Sequence, residues 1–403
     1  MGKAERGDNR PIVSLGATVA FCLLGDSMLY AVLPTKMDEL FLSAVQVGWL
    51  LSVNRFVRIL TNPLAASLFS RFKLKPLIAA AVLLSAWSTA SYAFTFSFAG
   101  LLVARGCWGV CWSLLRLGGY LAILSPKGPL QQGRSIGVFI RVYRSGMLAG
   151  LLLGGPLADL LGYGNTVFFL AACTLLGFFT IRCWPSLEPS RKTSQSPSAL
   201  TALIHPKHLP LSATAMGTSL IAAGLVGATT GHYLKERFGS FTMDLGPLLL
   251  SVTTLTAALL SSRHAYSLLL APSLGRLADR LGARLCGQLG LCLLLAGSGA
   301  LLLRPGLSWS ILSHLLVFLG GTILSITLPL ELGRAVNDNV RSHALAAQAT
   351  WSDLGAAVGP ILGYGLADRF GLSWGYAFAL AISAALLLFR SRWGAKTDAR
   401  RDP

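Results

Sequence analysis

GMLAGLLLGGPLAD (Gly146–Asp159) and GAAVGPILGYGLAD (Gly355–Asp368) share one pattern. Gly146, Gly150, Gly154, Leu157, Ala158, Asp159, Gly162 and Phe169 recur in order as Gly355, Gly359, Gly363, Leu366, Ala367, Asp368, Gly371 and Phe378. The spacing is about 209 residues throughout. The same register carries Pro63, Leu68 and Arg71 onto Pro272, Leu277 and Arg280. Chance alignment of glycines does not account for the shared Asp, Phe, Pro and Arg. The chain reads as two similar halves, and in an apolar protein a duplication of this kind points to a transporter built about a pseudo-twofold axis.

The composition sets the medium. Only 12% of the 403 residues are charged and 53% are hydrophobic, whereas soluble domains carry about a quarter charged residues. Runs of about 20 apolar residues, enough to span a bilayer, recur along the chain. A soluble globule is excluded. Twelve spans are expected, over 12–34, 46–69, 76–97, 99–123, 136–160 and 166–184, then 209–233, 248–277, 284–303, 307–331, 344–367 and 374–391. The first half is therefore 1–184 and the second 209–403 with a basic tail. Between them, 185–208 holds Pro185, Pro189, Pro197 and Pro206 among Ser, Arg and Lys, the composition of a linker. The first apolar run is too long for a cleaved signal and reads as a retained span.

Basic loop residues fall on one side. With the N-terminus inside, about 22 Lys and Arg lie on the cytoplasmic face against about 5 outside, a strong positive-inside bias. Both termini and the linker are expected in the cytoplasm of a bacterial inner membrane. The net charge of +18 is thus scattered over short loops, not gathered on a nucleic-acid-binding face. The seven cysteines lie in or beside apolar runs without ligand spacing, so packing is expected and neither metal nor disulfide. No phosphate-binding glycine loop with Lys and Ser or Thr is present, and no cofactor is expected.

Gly275-Arg-Leu-Ala-Asp279-Arg280-Leu-Gly282-Ala-Arg284 resembles the loop signature of the major facilitator superfamily. The equivalent first-half loop keeps Arg71 and Lys75 but has Ser70 and Lys73 where Asp279 and Gly282 stand. Arg105 with Gly109 looks like the family's fourth-helix motif. Gly146, Gly150, Gly154 and Gly155 resemble its antiporter motif with Leu151 in place of proline, while Gly355, Gly359, Pro360 and Gly363 retain the proline. The resemblance covers the whole chain. It implies an all-α membrane fold of twelve helices in two pseudo-symmetric six-helix bundles and a monomeric secondary transporter working by alternating access, without enzymatic activity. It assigns Gly275, Asp279, Arg280, Gly282 and Arg284 to gating. The helix-5 and helix-11 glycines are expected to pack against helices of the opposite half, since small residues four apart let backbones approach closely.

Charges inside the spans carry what substrate information there is. Arg55, Arg58, Arg105, Arg116, Arg141, Arg144 and Arg263 lie there, with Asp26, Glu331 and Asp353. Each costs roughly 2.5–3.5 kcal/mol on insertion scales, so none is expected to face lipid except where it snorkels, as Arg116 and Arg141 are placed to do. Two readings stay open. In one, Arg55, Arg58, Arg144 and Arg263 clamp an anionic or carboxylate-bearing solute, because a guanidinium offers bidentate donors. In the other, these arginines are structural and pair with Asp26, Asp353 or backbone carbonyls. Tyr30, Tyr143 and Trp351 share helices with the charged set and are cavity candidates. Asp26, Arg105 and Asp353 form the candidate proton-coupling set, with Asp26 either a relay or a plain partner of Arg55 or Arg58. The function expected is proton-coupled transport of a small anion, with efflux suggested by the glycine pattern. A transporter-like sensor and a membrane-embedded enzyme are the alternatives.

Overall fold

The computed structural model describes residues 10–94, 97–124, 132–185, 209–239, 242–244, 249–303, 306–336 and 338–398. The expected linker, beyond Pro185, lies outside these. Twelve helical rods account for nearly all of the described chain. They are α1 (Arg10–Thr35), α2 (Ala44–Arg71), α3 (Leu74–Phe94), α4 (Phe98–Leu124), α5 (Gln132–Leu160) and α6 (Tyr163–Thr180, followed by a 3-10 turn). The second series is α7 (Leu209–Phe238), α8 (Val252–Leu269, resuming over Ala271–Leu281), α9 (Ala283–Leu302), α10 (Leu307–Ala335), α11 (Asp338–Phe370) and α12 (Leu372–Asp398).

The register read from the glycines carries α2 to α6 onto α8 to α12 with ends matching to within a few residues, apart from an extra stretch at the end of α12. Gly162 and Gly371, equivalent in that register, both take positive φ (79° and 87°) where α5 turns into α6 and α11 into α12, a conformation that glycine adopts without steric cost. Gly282 does the same between α8 and α9 (φ 89°). Lys73, its counterpart between α2 and α3, does not. The two loops therefore differ in backbone shape as well as in sequence.

One boundary is corrected. The expected span 248–277 begins at Val252, because Thr242–Asp244 and Leu249–Ser251 pair as a two-stranded antiparallel hairpin, β1 and β2, with Met243 opposite Leu250. An extended pair satisfies its own backbone groups, so the helix starts only after it.

Among the described residues, nine helices are long and apolar enough to cross a membrane. The other three are α2, α8 and α11. They hold Asn54, Arg55 and Arg58, then Arg263 and His264, then Gln348 and Asp353. Interior polar residues, not shortness alone, lower their hydropathy. On α6, Phe168, Phe169, Leu175, Leu176, Phe178 and Phe179 are all exposed, an apolar face that suits lipid and not water. The protein is an all-α, multi-pass membrane protein.

Packing sorts the described chain into two compact units. The first holds α1, α2 from Val53 onward, α3 to α6, the hairpin, and α8 as far as His264. The second holds Ser43–Ser52 at the start of α2, then α7, the rest of α8 and α9 to α12. The units thus differ from the sequence halves 1–184 and 209–403 at those two segments. In the first unit, Trp108, Trp112, Phe139, Tyr143, Ile181 and Trp184 belong to one buried core.

The glycine stripes make a different contact from the expected one. A Cβ on Gly146, Gly150 or Gly154 would strike Ala20, Leu24 or Met28 of α1 at 2.4–2.6 Å. On Gly355 or Gly359 it would strike Met216, Leu220 or Gly224 of α7 at 2.0–2.5 Å. Each stripe therefore seats its helix on the first helix of its own six. Gly224 lies in a single turn of π-helix, Leu220–Leu225, where α7 meets Gly359 backbone to backbone. The expected approach to the other half is made beside the stripes: Gly155 has Ala257 and the Thr253 carbonyl of α8 as neighbours, and the Pro360 carbonyl of α11 faces Gly48 of α2.

Gly359→Val should therefore be damaging, because backbone atoms cannot step aside; overpacking of this kind costs about 3 kcal/mol or more. Gly365→Ala, with nothing within 4 Å, should be neutral or mildly stabilising. Melting of the detergent-solubilised variants, followed by size-exclusion recovery, checks this contrast. Equal melting of the two would show that the seam is not held by backbone contact.

Candidate functional site

The polar interior of the first unit is built on α1, α2 and α4. Asp26 stands on α1 at 7% exposure and Arg105 on α4 at 1%. They form a buried ion pair. Such a pair resists loss of either partner, because the survivor is left as an uncompensated charge in a low dielectric. The expectation that Asp26 pairs with Arg55 or Arg58 is corrected: its guanidinium partner is Arg105. Helix depth places a side chain along the membrane normal but does not say which neighbour it faces.

Asn54 completes this group. Its Nδ2 donates to Asp26 Oδ1 at 3.4 Å, while its own Oδ1 has no hydrogen-bond partner among the described residues. Sequence reasoning passed over Asn54 by attending to formal charges alone. A buried amide beside three charged residues was the available signal, since uncharged polar groups in hydrocarbon also need partners.

Tyr30, one helical turn beyond Asp26, lies between two arginines. The guanidinium carbons of Arg55 and Arg105 are each 5.7 Å from its ring centroid, within the range of cation–π attraction. Arg58 lies 5.9 Å from the ring of Trp112, and Trp112 meets Tyr143 edge to face at 5.7 Å. Arg58 Nε also donates to the Asn54 carbonyl at 3.3 Å. The aromatic rings thus lie against the guanidinium groups of Arg55, Arg58 and Arg105.

Arg263 on α8 joins the same unit. Arg55, Arg144 and Tyr30 all lie within its electrostatic reach, and Arg144 within that of His264. Arg263 Nε donates to His264 Nε2 at 3.3 Å. Acceptance at Nε2 fits a neutral imidazole with its proton on Nδ1. Arg141, by contrast, is exposed on α5. The structure therefore groups Arg55, Arg144 and Arg263 with Tyr30, and Arg58 with Trp112 and Tyr143. Trp351 and Asp353 lie half-buried on α11 in the second unit.

A second polar cluster joins the end of α5 to the start of α8. Asp159 accepts hydrogen bonds from the hydroxyls of Ser251 and Thr254, the latter at 3.2 Å, and has Lys36 Nζ at 3.7 Å. Thr253 and Thr35 are bonded at 3.1 Å beside it. The repeat-equivalent Asp368 is exposed, so the two halves differ here. Asp159 was visible in the repeat, but nothing in its sequence context named these partners.

The loop motif lies at the surface of the second unit. Asp279 and Arg334 of α10 form an ion pair at 2.7 Å with both side chains more than half exposed. Pairs this wet contribute little to stability. Gly275 and Arg284 are half-buried, Arg280 is exposed, and Gly282 supplies the turn described above. Among the described residues no group of His, Cys, Asp and Glu is placed to hold a metal.

A family model described as Major Facilitator Superfamily matches residues 15–333. The synaptic vesicular amine transporter of Bos taurus is 25% identical over 359 residues, covering 85% of this chain and 65% of that protein. The Mus musculus protein of the same name is 26% identical over 263 residues, 64% of this chain and 48% of its own length. The match thus spans about half the length of this relative. The multidrug resistance protein MdtG of Salmonella paratyphi A is 26% identical over 302 residues, 71% of this chain and 70% of that one. Among solved structures, a POT family transporter in complex with 5-aminolevulinic acid superposes with a TM-score of 0.79 at 13% identity, covering 97% of this chain and 98% of that chain. The nucleoside transporter NupG superposes at 0.75 with 12% identity, covering 96% and 99%. The chain belongs to the major facilitator superfamily.

Proposed function

We propose that this protein is a secondary active transporter of the bacterial inner membrane, moving a small carboxylate-bearing or other anionic solute by alternating access in exchange for protons. The observation that carries the cargo reading is the charge on the first unit. Its spans hold Arg55, Arg58, Arg105, Arg144 and Arg263 in the interior region, and Asp26 is the acid there. Asp26 is engaged by Arg105. An incoming carboxylate would meet guanidinium groups already placed against Tyr30 and Trp112, and preorganisation of this kind lowers the entropic cost of binding.

The proton reading rests on Asp26. A carboxylate whose ionised form is held by one guanidinium and one amide has two states that differ in what they bind. Protonation would release Arg105 from its partner, and a solute anion is the natural replacement. Export is supported by the kinship with a multidrug resistance protein together with the small-residue pattern of α5.

A second reading is favoured by the relatives named for amines. An organic cation would require a carboxylate to receive it in place of its present partner, with Asp26 or Asp353 in that role. A panel of carboxylates and organic amines, presented to proteoliposomes under an imposed pH gradient, decides between the two. Carboxylate flux supports the anion reading, and amine flux alone replaces it.

Arg58→Gln and Arg263→Gln should each raise KM for a transported carboxylate about ten- to a hundredfold, since hydrogen bonds to charged groups are worth about 1.5–3 kcal/mol. Wild-type kinetics in both variants would end the clamp. Asp26→Asn should abolish uptake driven by the pH gradient but leave solute-for-solute exchange measurable. Gradient-driven uptake that survives intact would move the coupling site elsewhere.

A further inference from the structure

The two halves hold an internal control. In the first unit, Ile78 (α3), Gly118 and Ala122 (α4) and Ile181 (the turn after α6) form an apolar layer. Ile78, Ala122 and Ile181 are all buried, and Ile78 fills the space above Gly118. The repeat register carries these four positions onto Gly287 (α9), Thr327 and Glu331 (α10) and Arg390 (α12). The same layer of the fold is therefore greasy in one unit and charged in the other.

The charged version is built with care for reach. α10 and α12 both pack on α9. Arg390 crosses α9 at Gly287, where a Cβ would lie 3.3 Å from Nη2, and donates from Nη2 to Glu331 Oε2 at 2.5 Å. A side chain at 287 would crowd that path. Arg390 is 2% exposed, and the Glu331 side chain keeps 18%. Arg390 Nε and Nη1, and the Thr327 hydroxyl, have no hydrogen-bond partner among the described residues.

Burying two charges costs more than their attraction returns unless every remaining donor is satisfied, and replacing such a pair by apolar residues is often neutral or stabilising. The sister layer shows that this fold accepts the apolar solution at the same place. Folding therefore does not account for the pair. What a charge pair has and Ile with Ala lacks is a second state: a proton on Glu331 removes the attraction and leaves Arg390 without its carboxylate.

We propose that Glu331–Arg390 is a proton-responsive joint of the transport cycle, closed when Glu331 is ionised and released when it takes a proton from the side that the charge bias assigns to the cytoplasm. It is a positioning pair that ties α12 to α10 through α9. The packing neighbours carry Arg284 and Cys286 on α9, Arg334 on α10, and Asp279 and Arg280 on the second segment of α8. Arg334 is itself held by Asp279, so Glu331 is the acid on α9, α10 or α12 in this layer. The proposal does not depend on the cargo or on Asp26.

Hydrogen exchange of the protein in lipid nanodiscs tests it, measured at about pH 8 and about pH 4, below the ordinary glutamate value, and corrected for intrinsic exchange. The inner turns of α9, α10 and α12 should exchange several-fold faster at the lower pH. Glu331→Gln should show the low-pH pattern at both. Glu331→Ala with Arg390→Ile, the sister-layer pair, should be protected at both and melt at or above the wild-type temperature. The wild-type response should persist in Asp26→Asn. A wild type indifferent to pH would overturn the joint, as would a pH response retained in Glu331→Gln. Loss of folding in the double variant would show that the pair is structural, and loss of the response in Asp26→Asn would place it at the other ion pair.

Discussion

A guanidinium group cannot be left in hydrocarbon. The interior of this protein is organised around that restriction. Five arginines on the first unit's helices must be met by protein groups, and the structure meets them with aromatic faces, an imidazole, backbone carbonyl oxygen and the carboxylate of Asp26. Arg105 is met by a buried ion pair, with Asp26.

Close helix approach provides the frame in which these side chains are held. The glycines of α5 and α11 bring backbone against backbone on α1 and α7. Asp26 and Tyr30 stand on α1, so the α1–α5 seam sets the position of the ion pair and of the ring between two arginines. The π turn of α7 answers the same requirement in the second unit, where two glycines meet. Each unit is thereby a closely packed bundle, and packed interiors transmit strain.

Much of this was legible in the sequence. The register linking Gly146 to Gly355 located five helices of each half and the positive-φ glycines at 162 and 371. It did not relate α1 to α7. The residues that receive the two glycine stripes, Ala20 and Met216 for example, are related by an offset shorter by about a dozen residues, because α7 is followed by a longer connection that includes the hairpin. Partners were harder to read than positions. Asp26 was read either as a relay or as a partner of Arg55 or Arg58 on α2, and its guanidinium partner stands on α4, since depth along a helix carries no information about which neighbour it faces. Arg390 looked like one more basic residue of a cytoplasmic tail. Only the gap at Gly287, invisible without the third helix, shows that it is buried. Asn54 and Asp159 were hidden for a related reason: their roles lie in what they touch.

The account stands on an anion being the species that the Arg55, Arg144 and Arg263 group receives. The most direct measurement is a structure of the protein determined with a brominated benzoate, using the anomalous signal of bromine to place it. The carboxylate should lie against the forks of Arg55 and Arg263 with the ring near Tyr30. A bromine signal confined to lipid-facing surface, or density for an organic amine at this group where the carboxylate fails to bind, would contradict it.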